Sequence, residues 1–285
     1  MRRILGIFAA SGPKWIGDGF PMRMLFSHDT FNEHIDPFLL LRYTSSISFS
    51  PGREPRGVAP HPCRGFEIVT LVFEGEVEYC DSTGEATLLA PGDVQWMTAA
   101  SGILQGARHS QDFTARGGPL EMAQLWVNLP ARDKMSAPDR QTIRGRDMPV
   151  IDLPGEAGEV RIVAGDHYGH KGAAETFTPV NVWDLRLKNG RRTALTLPEG
   201  HTLCVVVLSG CVEINCERQL GAVDFALLSR TGGAITLEAL SEAKILILSG
   251  APIDEPVAAH GPVVMNTADE IERAIADFGA GAYHR

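Results

Sequence analysis

The sequence lacks long hydrophobic runs and clusters of basic residues. No apolar stretch approaches the roughly 20 residues that a bilayer-spanning helix needs, so we expect no membrane association. Lysine and arginine together number 26 against 35 aspartate and glutamate residues, which gives a formal net charge of -9. Because clustered Lys and Arg supply most of the affinity for phosphate backbones, this balance argues against direct binding of nucleic acid.

Paired cysteines and common catalytic motifs are also missing. The five cysteines are odd in number and form no close-spaced metal or redox motif, a usage typical of reduced thiols in the cytoplasm. The chain contains no phosphate-binding loop, nucleophile elbow or His-Glu-x-x-His motif. Two arginines precede an apolar stretch at residues 4–10 that lies at the short limit of a signal-peptide core. We therefore expect a cytoplasmic protein without a secretory signal.

The chain is rich in short apolar segments punctuated by glycine and proline. Its 30 glycines and 18 prolines are spread along all 285 residues, as in all-β barrels and sandwiches. The first half predicts a β-meander with strands at 66–73, 76–79, 86–89 and 94–97 and a turn at 81–84.

The second half repeats this pattern, with strands predicted at 203–208, 211–214, 224–228 and 244–248. Aligning Gly75 with Gly210 also aligns two Val-Glu pairs, at 77–78 and 212–213. Two similar β-segments in one chain indicate two stacked barrels. Residues from about 130 to 150 show no clear period and are predicted to link the barrels.

A short amphipathic helix is predicted at the C-terminal end. Thr267 and Glu270 have the spacing of a capping box, in which each side chain accepts a hydrogen bond from the other residue's backbone N–H. Apolar residues then recur at helical spacing from Ile271 to Phe278, and Gly279 stops the run. We expect this helix to pack against a barrel.

Several longer motifs resemble the pirin family of the cupin superfamily. They are HPCRGFE at 61–67, EGEVE at 74–78, PGDVQWMT at 91–98, QLWVNLP at 124–130 and HGPVVMNT at 260–267. The resemblance implies an all-β bicupin with two jelly-roll barrels. An N-terminal cupin barrel would cover residues 1–135, a linker 136–150, and a C-terminal cupin barrel with the terminal helix 151–285.

The resemblance also implies chemistry, because pirins bind iron in the N-terminal barrel. Some pirins are dioxygenases acting on flavonols such as quercetin, and others are transcriptional co-regulators. In the family the metal is held by a His-x-His pair on one strand and a His-x-Glu pair on another. A spacing of two suits a strand, because alternate side chains share a face.

The sequence departs from this pattern at three of the four ligand positions. His61 and Cys63 occupy the first pair, and Gln105 and Ala107 occupy the second. Glutamine is a weak neutral ligand and alanine cannot ligate. We therefore predict a degenerate site with no metal or a weakly bound divalent ion, which is iron in the family and could here be zinc, nickel or copper. A His–Cys pair can hold zinc or copper if other ligands join.

Glu67 and His109 are further pocket candidates. A glutamate at a barrel mouth can act as an acid or base and equally suits a structural ion pair. His109 lies just beyond Gln105 and is either an additional ligand or a surface histidine. For Cys63 and His61 the structural alternatives are a small buried hydrophobe and an imidazole hydrogen-bonded inside the barrel.

We accordingly predict a small-molecule-binding or regulatory protein with weak or no metal binding. The partners expected are a small-molecule ligand and, by family analogy, another protein. The alternative is a metal-dependent oxidoreductase similar to quercetin 2,3-dioxygenase. The pattern of residues leaves the natural ligand open.

Overall fold

The computed structural model describes residues 1–82 and 86–284, which are organised mainly as strands. The predicted turn at 81–84 therefore lies partly outside the described residues. In chain order the first twelve strands are β1 Ile4–Ala9, β2 Lys14–Ile16, β3 Phe20–Ser27, β4 Phe38–Phe49, β5 Gly57–Cys63, β6 Phe66–Glu74, β7 Val77–Asp81, β8 Ala86–Leu89, β9 Val94–Thr98, β10 Ile103–His109, β11 Gly118–Asn128 and β12 Asp139–Ile143.

The later strands are β13 Val150–Asp152, β14 Gly158–Ala164, β15 Asp166–His167, β16 His170–Lys171, β17 Val180–Leu187, β18 Arg192–Thr196, β19 Thr202–Ser209, β20 Val212–Ile214, β21 Arg218–Leu220, β22 Asp224–Leu228, β23 Ala234–Ala239, β24 Ala243–Gly250, β25 Ala258–His260 and β26 Val263–Met265. The helices are α1 His28–Phe31, α2 Gln111–Arg116 and α3 Ala268–Gly279. Short 3-10 turns lie at Asn32–Ile35, Ala131–Asp133, Gly145–Asp147, Pro154–Glu156 and Ala282–His284.

The chain divides into two compact units whose segments interleave along the sequence. Unit 1 comprises Met1–Ser11, Leu25–Phe38 and Asp147–Pro252, and unit 2 comprises Gly12–Met24, Leu39–Arg146 and Ile253–Arg285. The units differ at both ends from the contiguous ranges 1–135 and 151–285, which stay a prediction. At the N-terminal end the reason is that β1 pairs with β22 inside unit 1.

Unit 2 is built around two sheets that share one core. The larger has the order β12-β9-β6-β11-β4-β3-β2, and the smaller has the order β5-β10-β7-β8. From β5 to β11 the chain crosses repeatedly between the two sheets, because β6 pairs with β9 and β11 whereas β7 pairs with β8 and β10. The four strands predicted as a meander therefore form part of a jelly-roll arrangement. Side chains from both sheets meet in a core that includes Val72, Val77 and Met122.

Unit 1 repeats this arrangement. Its sheets have the orders β1-β22-β19-β24-β17-β14-β13 and β18-β23-β20-β21. Gly75 in unit 2 and Gly210 in unit 1 follow equivalent strands and have φ values of 79° and 85°. A Cβ would lie 2.8 Å from a Leu120 methyl carbon at Gly75 and 2.2 Å from the Glu242 carbonyl oxygen at Gly210. Both turns therefore require glycine, and this shared turn agrees with the repeat seen in the sequence.

The segment predicted as a linker contains a strand. Residues 139–143 pair antiparallel with 94–98, from Asp139 opposite Thr98 to Ile143 opposite Val94. The alternation of apolar and polar residues in this segment is weak because β12 lies at one edge of the larger sheet in unit 2. An edge strand with only one buried side chain, Ile143, carries little hydrophobic signal.

Helix α3 forms as the capping box predicts. The Thr267 side chain accepts a hydrogen bond from the Glu270 N–H, and the Glu270 carboxylate accepts one from the Thr267 N–H. Ile271 and Ala274 are buried, but Ile275 and Phe278 are 47% and 41% exposed. The helix is thus confirmed, and its apolar stripe is covered only in part. In the part of the chain that the structure describes, no helix is long and apolar enough to cross a membrane.

Candidate functional site

The first and third of the predicted metal positions meet across two neighbouring strands. His61 on β5 lies directly opposite Gln105 on β10, and Cys63 lies opposite Ile103. The register shifts between Gln105 and Ala107. Such a bulge re-aims side chains and is common near functional sites.

His61, Gln105 and Ala107 line a cavity of about 50 Å³ within unit 2. Both sheets contribute to its wall, because β4, β6 and β11 belong to the larger sheet and β5, β7 and β10 to the smaller. On β11 every second residue takes part, as strand geometry requires. The polar side chains of the wall are Arg42, His61, Tyr79, Gln105, Gln124 and Trp126.

Two of these polar side chains are held by neighbours. The Nδ1 atom of His61 lies 3.0 Å from the Ala59 carbonyl oxygen. Because a carbonyl oxygen only accepts, Nδ1 carries the proton and Nε2 keeps its lone pair in the neutral ring. The Tyr79 hydroxyl lies 3.0 Å from the Thr70 hydroxyl. Burial raises the pKa of Tyr79 to about 12, so Tyr79 remains a phenol at neutral pH.

Two other wall residues present nitrogen atoms without partners. Gln105 is 4% exposed, and its Nε2 atom has no hydrogen-bond partner among the described residues. The indole Nε1 of Trp126 is likewise buried and without an acceptor in the described part of the chain. Both groups are hydrogen-bond donors. The wall therefore offers unused N–H groups.

Arg42 adds a positive charge to the same wall. Its guanidinium carbon lies 5.6 Å from the centroid of the Trp126 ring. Burial lowers the pKa of Arg42, and the described residues provide it with neither a hydrogen bond nor an ion pair. Among the described residues, no carboxylate lines the cavity. The cavity is consequently cationic and rich in donors.

Cys63 lies outside the cavity wall. Its side chain is fully buried in an apolar cluster that includes Phe66, Ile68 and Ile103. Desolvation raises the pKa of the Cys63 thiol to about 12. Because the thiolate is the form that binds metals, this position favours the alternative of a small buried hydrophobe.

Glu67 also lies away from the cavity. It neighbours Ile68 on β6, and consecutive side chains of a strand point to opposite faces; Ile68 lines the cavity and Glu67 does not. Trp96 Nε1 and Thr98 Oγ1 donate to its Oε1 atom at 2.9 and 3.0 Å. Desolvation raises the pKa of Glu67 to about 7. The partners of Glu67 are thus two uncharged donors rather than the cation of a structural ion pair.

His109 packs among aromatic side chains and does not line the cavity. Its Nε2–H donates to the Gly19 carbonyl oxygen at 2.9 Å. Edge-on contacts join its ring to Phe20, Phe49 and Phe113, with centroids 5.5, 4.6 and 5.2 Å away. Burial lowers the pKa of His109. It is therefore neither a surface histidine nor a cavity-lining residue.

The residues present do not fit a ferrous centre. Oxygen-activating iron sites typically use two imidazoles and one carboxylate on one side of the metal. Here the four positions supply the His61 imidazole, a packed thiol, the Gln105 amide and the Ala107 methyl. Within residues 1–82 and 86–284, no three His, Cys, Asp or Glu side chains lie close enough to hold a metal ion. A cavity wall of unused N–H groups and a guanidinium repels a cation rather than binding it.

Comparisons with known proteins agree with the fold and the motifs. Residues 19–127 match the family model described as Pirin, and residues 182–284 match the Pirin C-terminal cupin domain. The human protein named Pirin is 34% identical over 255 residues, which cover 86% of this chain and 82% of that protein. The chain belongs to the pirin family.

Two bacterial relatives of this pirin have a higher sequence identity to it than the human protein has. The Pseudomonas aeruginosa protein named "Putative quercetin 2,3-dioxygenase PA2418" is 50% identical over 285 residues, covering 100% of this chain and 99% of that protein. The crystal structure of a quercetin 2,3-dioxygenase from Acinetobacter baumannii superposes with a TM-score of 0.98 at 45% identity, covering 99% of this chain and 98% of that one. The pirin fold is therefore shared over nearly the whole chain.

The sequence motifs did not reveal every wall residue of the pirin cavity. Arg42 lies outside the metal-ligand motif, within the apolar strand residues Leu39-Leu40-Leu41-Arg42-Tyr43. A single charged residue in such a strand is unusual unless it serves a pocket or a partner, and that was the available signal. Trp126 lies within the QLWVNLP motif, which carries no sign of a polar role. Its unpartnered nitrogen becomes visible only in three dimensions.

Proposed function

We propose that this pirin binds a small molecule in the cavity of unit 2 and holds no resident transition metal there. One observation supports this most strongly: of the four family ligand positions, only His61 offers a good metal-binding atom beside the cavity. Cys63 is packed in an apolar cluster, Gln105 is a neutral amide and Ala107 has no donor atom. We also propose that a protein partner, which the family implies, recognises the ligand-bound form of the chain.

The size of the cavity supports a small ligand. Sites for drug-sized molecules usually enclose about 300–1,000 Å³, whereas this cavity encloses about 50 Å³. A flavonol would require the surrounding strands to move apart. A ligand of a few heavy atoms fits without such movement.

Metal analysis of the purified full-length chain tests the proposal. The protein is produced in medium supplemented with iron, zinc, nickel and copper, and its metal content is measured after gel filtration. We expect every metal to be present far below one ion per chain. One tightly held ion per chain, of any of these metals, would overturn the proposal.

A metal-dependent flavonol dioxygenase is the second candidate function. The observation in its favour is the name carried by two similar proteins, at 50% and 45% identity. An aerobic quercetin assay with added iron, manganese, cobalt, nickel or copper distinguishes the two candidates. Turnover that depends on one of these ions would establish the second candidate, and no turnover with any ion would retire it.

A further inference from the structure

We propose that the cavity of unit 2 binds a small oxyanion of three or four heavy atoms, the size of formate, bicarbonate or nitrate, with Arg42, Gln105 and Trp126 as its donors. This inference rests on the proposed function, because it names the chemical class of the ligand in the same cavity. It replaces a site for a cation by a site for an anion.

Two buried N–H groups of the cavity wall lack hydrogen-bond acceptors, which favours an occupant that supplies them. Gln105 Nε2 and Trp126 Nε1 are buried and have no acceptor among the described residues, although nine-tenths or more of buried polar groups in proteins have a partner. Both side chains line the cavity. An occupant rich in acceptor atoms would satisfy both groups, whereas a metal ion would satisfy neither.

The positive charge of the cavity wall favours an anion as the occupant. Arg42 contributes a positive charge to the wall, and no Asp or Glu within residues 1–82 and 86–284 lines the cavity. A guanidinium presents its donors as a planar fork that matches the two oxygens of a carboxylate or similar oxyanion. Oxyanions therefore fit this wall better than neutral acceptors of the same size.

The cavity volume limits the size of the oxyanion. A cavity needs about 10–15 Å³ to hold one water molecule, so about 50 Å³ holds roughly four heavy atoms. Formate has three heavy atoms, and bicarbonate and nitrate have four. Carboxylates longer than acetate exceed this volume.

Nuclear magnetic resonance of the ¹⁵N-labelled full-length chain tests the inference. The indole N–H signal of Trp126 is assigned from its loss in Trp126→Phe. Formate, bicarbonate and nitrate are then titrated separately at constant ionic strength, with formamide as a neutral control of the same size as formate. We expect at least one anion to shift the Trp126 signal in a saturable manner, and formamide to leave it unchanged. The three anion arms identify which oxyanion the cavity prefers.

Matched variants locate the site. Arg42→Gln should weaken binding roughly ten- to hundred-fold, the factor expected for a hydrogen bond to a charged group. Arg53→Gln removes an equal charge from an exposed position in the same unit and should bind like the wild type. If Arg42→Gln does not fold, Gln105→Leu replaces it, with an expected loss of about three- to ten-fold.

The contrary results are equally definite. No saturable shift of the Trp126 signal with any anion would mean a water-filled cavity and would overturn the inference. An equal response to formamide, or unchanged binding in both Arg42→Gln and Gln105→Leu, would overturn it too. These outcomes are separate from the metal content of the chain, so the inference can fail while the proposed function stands.

Discussion

The guanidinium carbon of Arg42 lies 5.6 Å from the ring centroid of Trp126, although the two residues come from different strands, β4 and β11. The ring face attracts the cation, while the indole nitrogen of the same residue is buried without an acceptor. Together they turn one side of the cavity into a surface that donates hydrogen bonds and carries positive charge. That character is opposite to what a divalent metal requires from its ligands.

Replacing Gln105 by methionine should raise stability while weakening ligand binding. The amide nitrogen of Gln105 is buried without a partner among the described residues, and such a group costs about 1–3 kcal/mol. Methionine keeps a similar length without the polar atoms. Denaturant unfolding should show the variant more stable than the wild type by about 1 kcal/mol. A loss of stability would mean that the amide is already satisfied in the empty protein.

Replacing Glu67 by glutamine should remove a pH dependence of stability. Burial raises the pKa of Glu67 from 4.5 to about 7, so the folded chain keeps a proton that the unfolded chain releases in this window. The free energy of unfolding contributed by this group is therefore full below about pH 4.5, falls as the pH rises and levels off above about pH 7. The total loss is on the order of 3 kcal/mol.

Unfolding at about pH 5 and about pH 8 measures the Glu67 effect. Relative to the wild type, Glu67→Gln should gain stability as the pH rises, because glutamine cannot ionise in its buried position. Glu272→Gln, at an exposed position on α3, should follow the wild type at both values. Parallel profiles for the wild type and Glu67→Gln would contradict the raised pKa.

Replacing Lys134 by methionine should loosen the C-terminal part of unit 2. The ammonium group of Lys134 donates to the Gly65 carbonyl oxygen, Asn128 Oδ1 and the Val264 carbonyl oxygen at 2.7, 2.7 and 3.1 Å. Its removal leaves three acceptors without their donor, at a cost of about 3 kcal/mol or more.

Hydrogen exchange checks the Lys134 prediction. Amides of β26, which contains Val264, should exchange faster in Lys134→Met than in the wild type. Lys14→Met, at an exposed position of the same unit, is the control and should leave exchange unchanged. Equal protection of β26 in the two variants would show that Lys134 does not anchor this strand.

Much of the fold was predictable from local patterns. Strands such as 224–228 and helix α3 carry strong periodic or capping signals, and the glycines at 75 and 210 mark turns that no other residue can adopt easily. The exchange of strands between two sheets was not predictable from these patterns, because a meander and a jelly roll place similar apolar segments in similar order. The pairing of β1 with β22 joins residues more than 200 positions apart, which no local signal reveals.

The candidate site was predictable only in part. The motifs assigned residues to the family ligand positions, which stays a prediction, and the structure brings His61, Gln105 and Ala107 to one cavity. They left open whether Cys63 is a ligand or a small buried hydrophobe, and they did not reveal that Glu67 points to the other side of β6. Arg42 and Trp126 reach the cavity through strand pairing across the sheet, so their role depends on tertiary structure.

Anaerobic titration with ferrous ion tests most directly whether the residues at the altered ligand positions prevent tight iron binding. The wild type, the double variant Gln105→His with Ala107→Glu, and Cys63→His alone are compared after chelator treatment and gel filtration. The double variant adds an imidazole and a carboxylate beside His61, the set that suits ferrous ion. We expect it to retain about one ion per chain, while the wild type and Cys63→His retain far less. A wild type that keeps one tightly bound iron per chain would contradict the account.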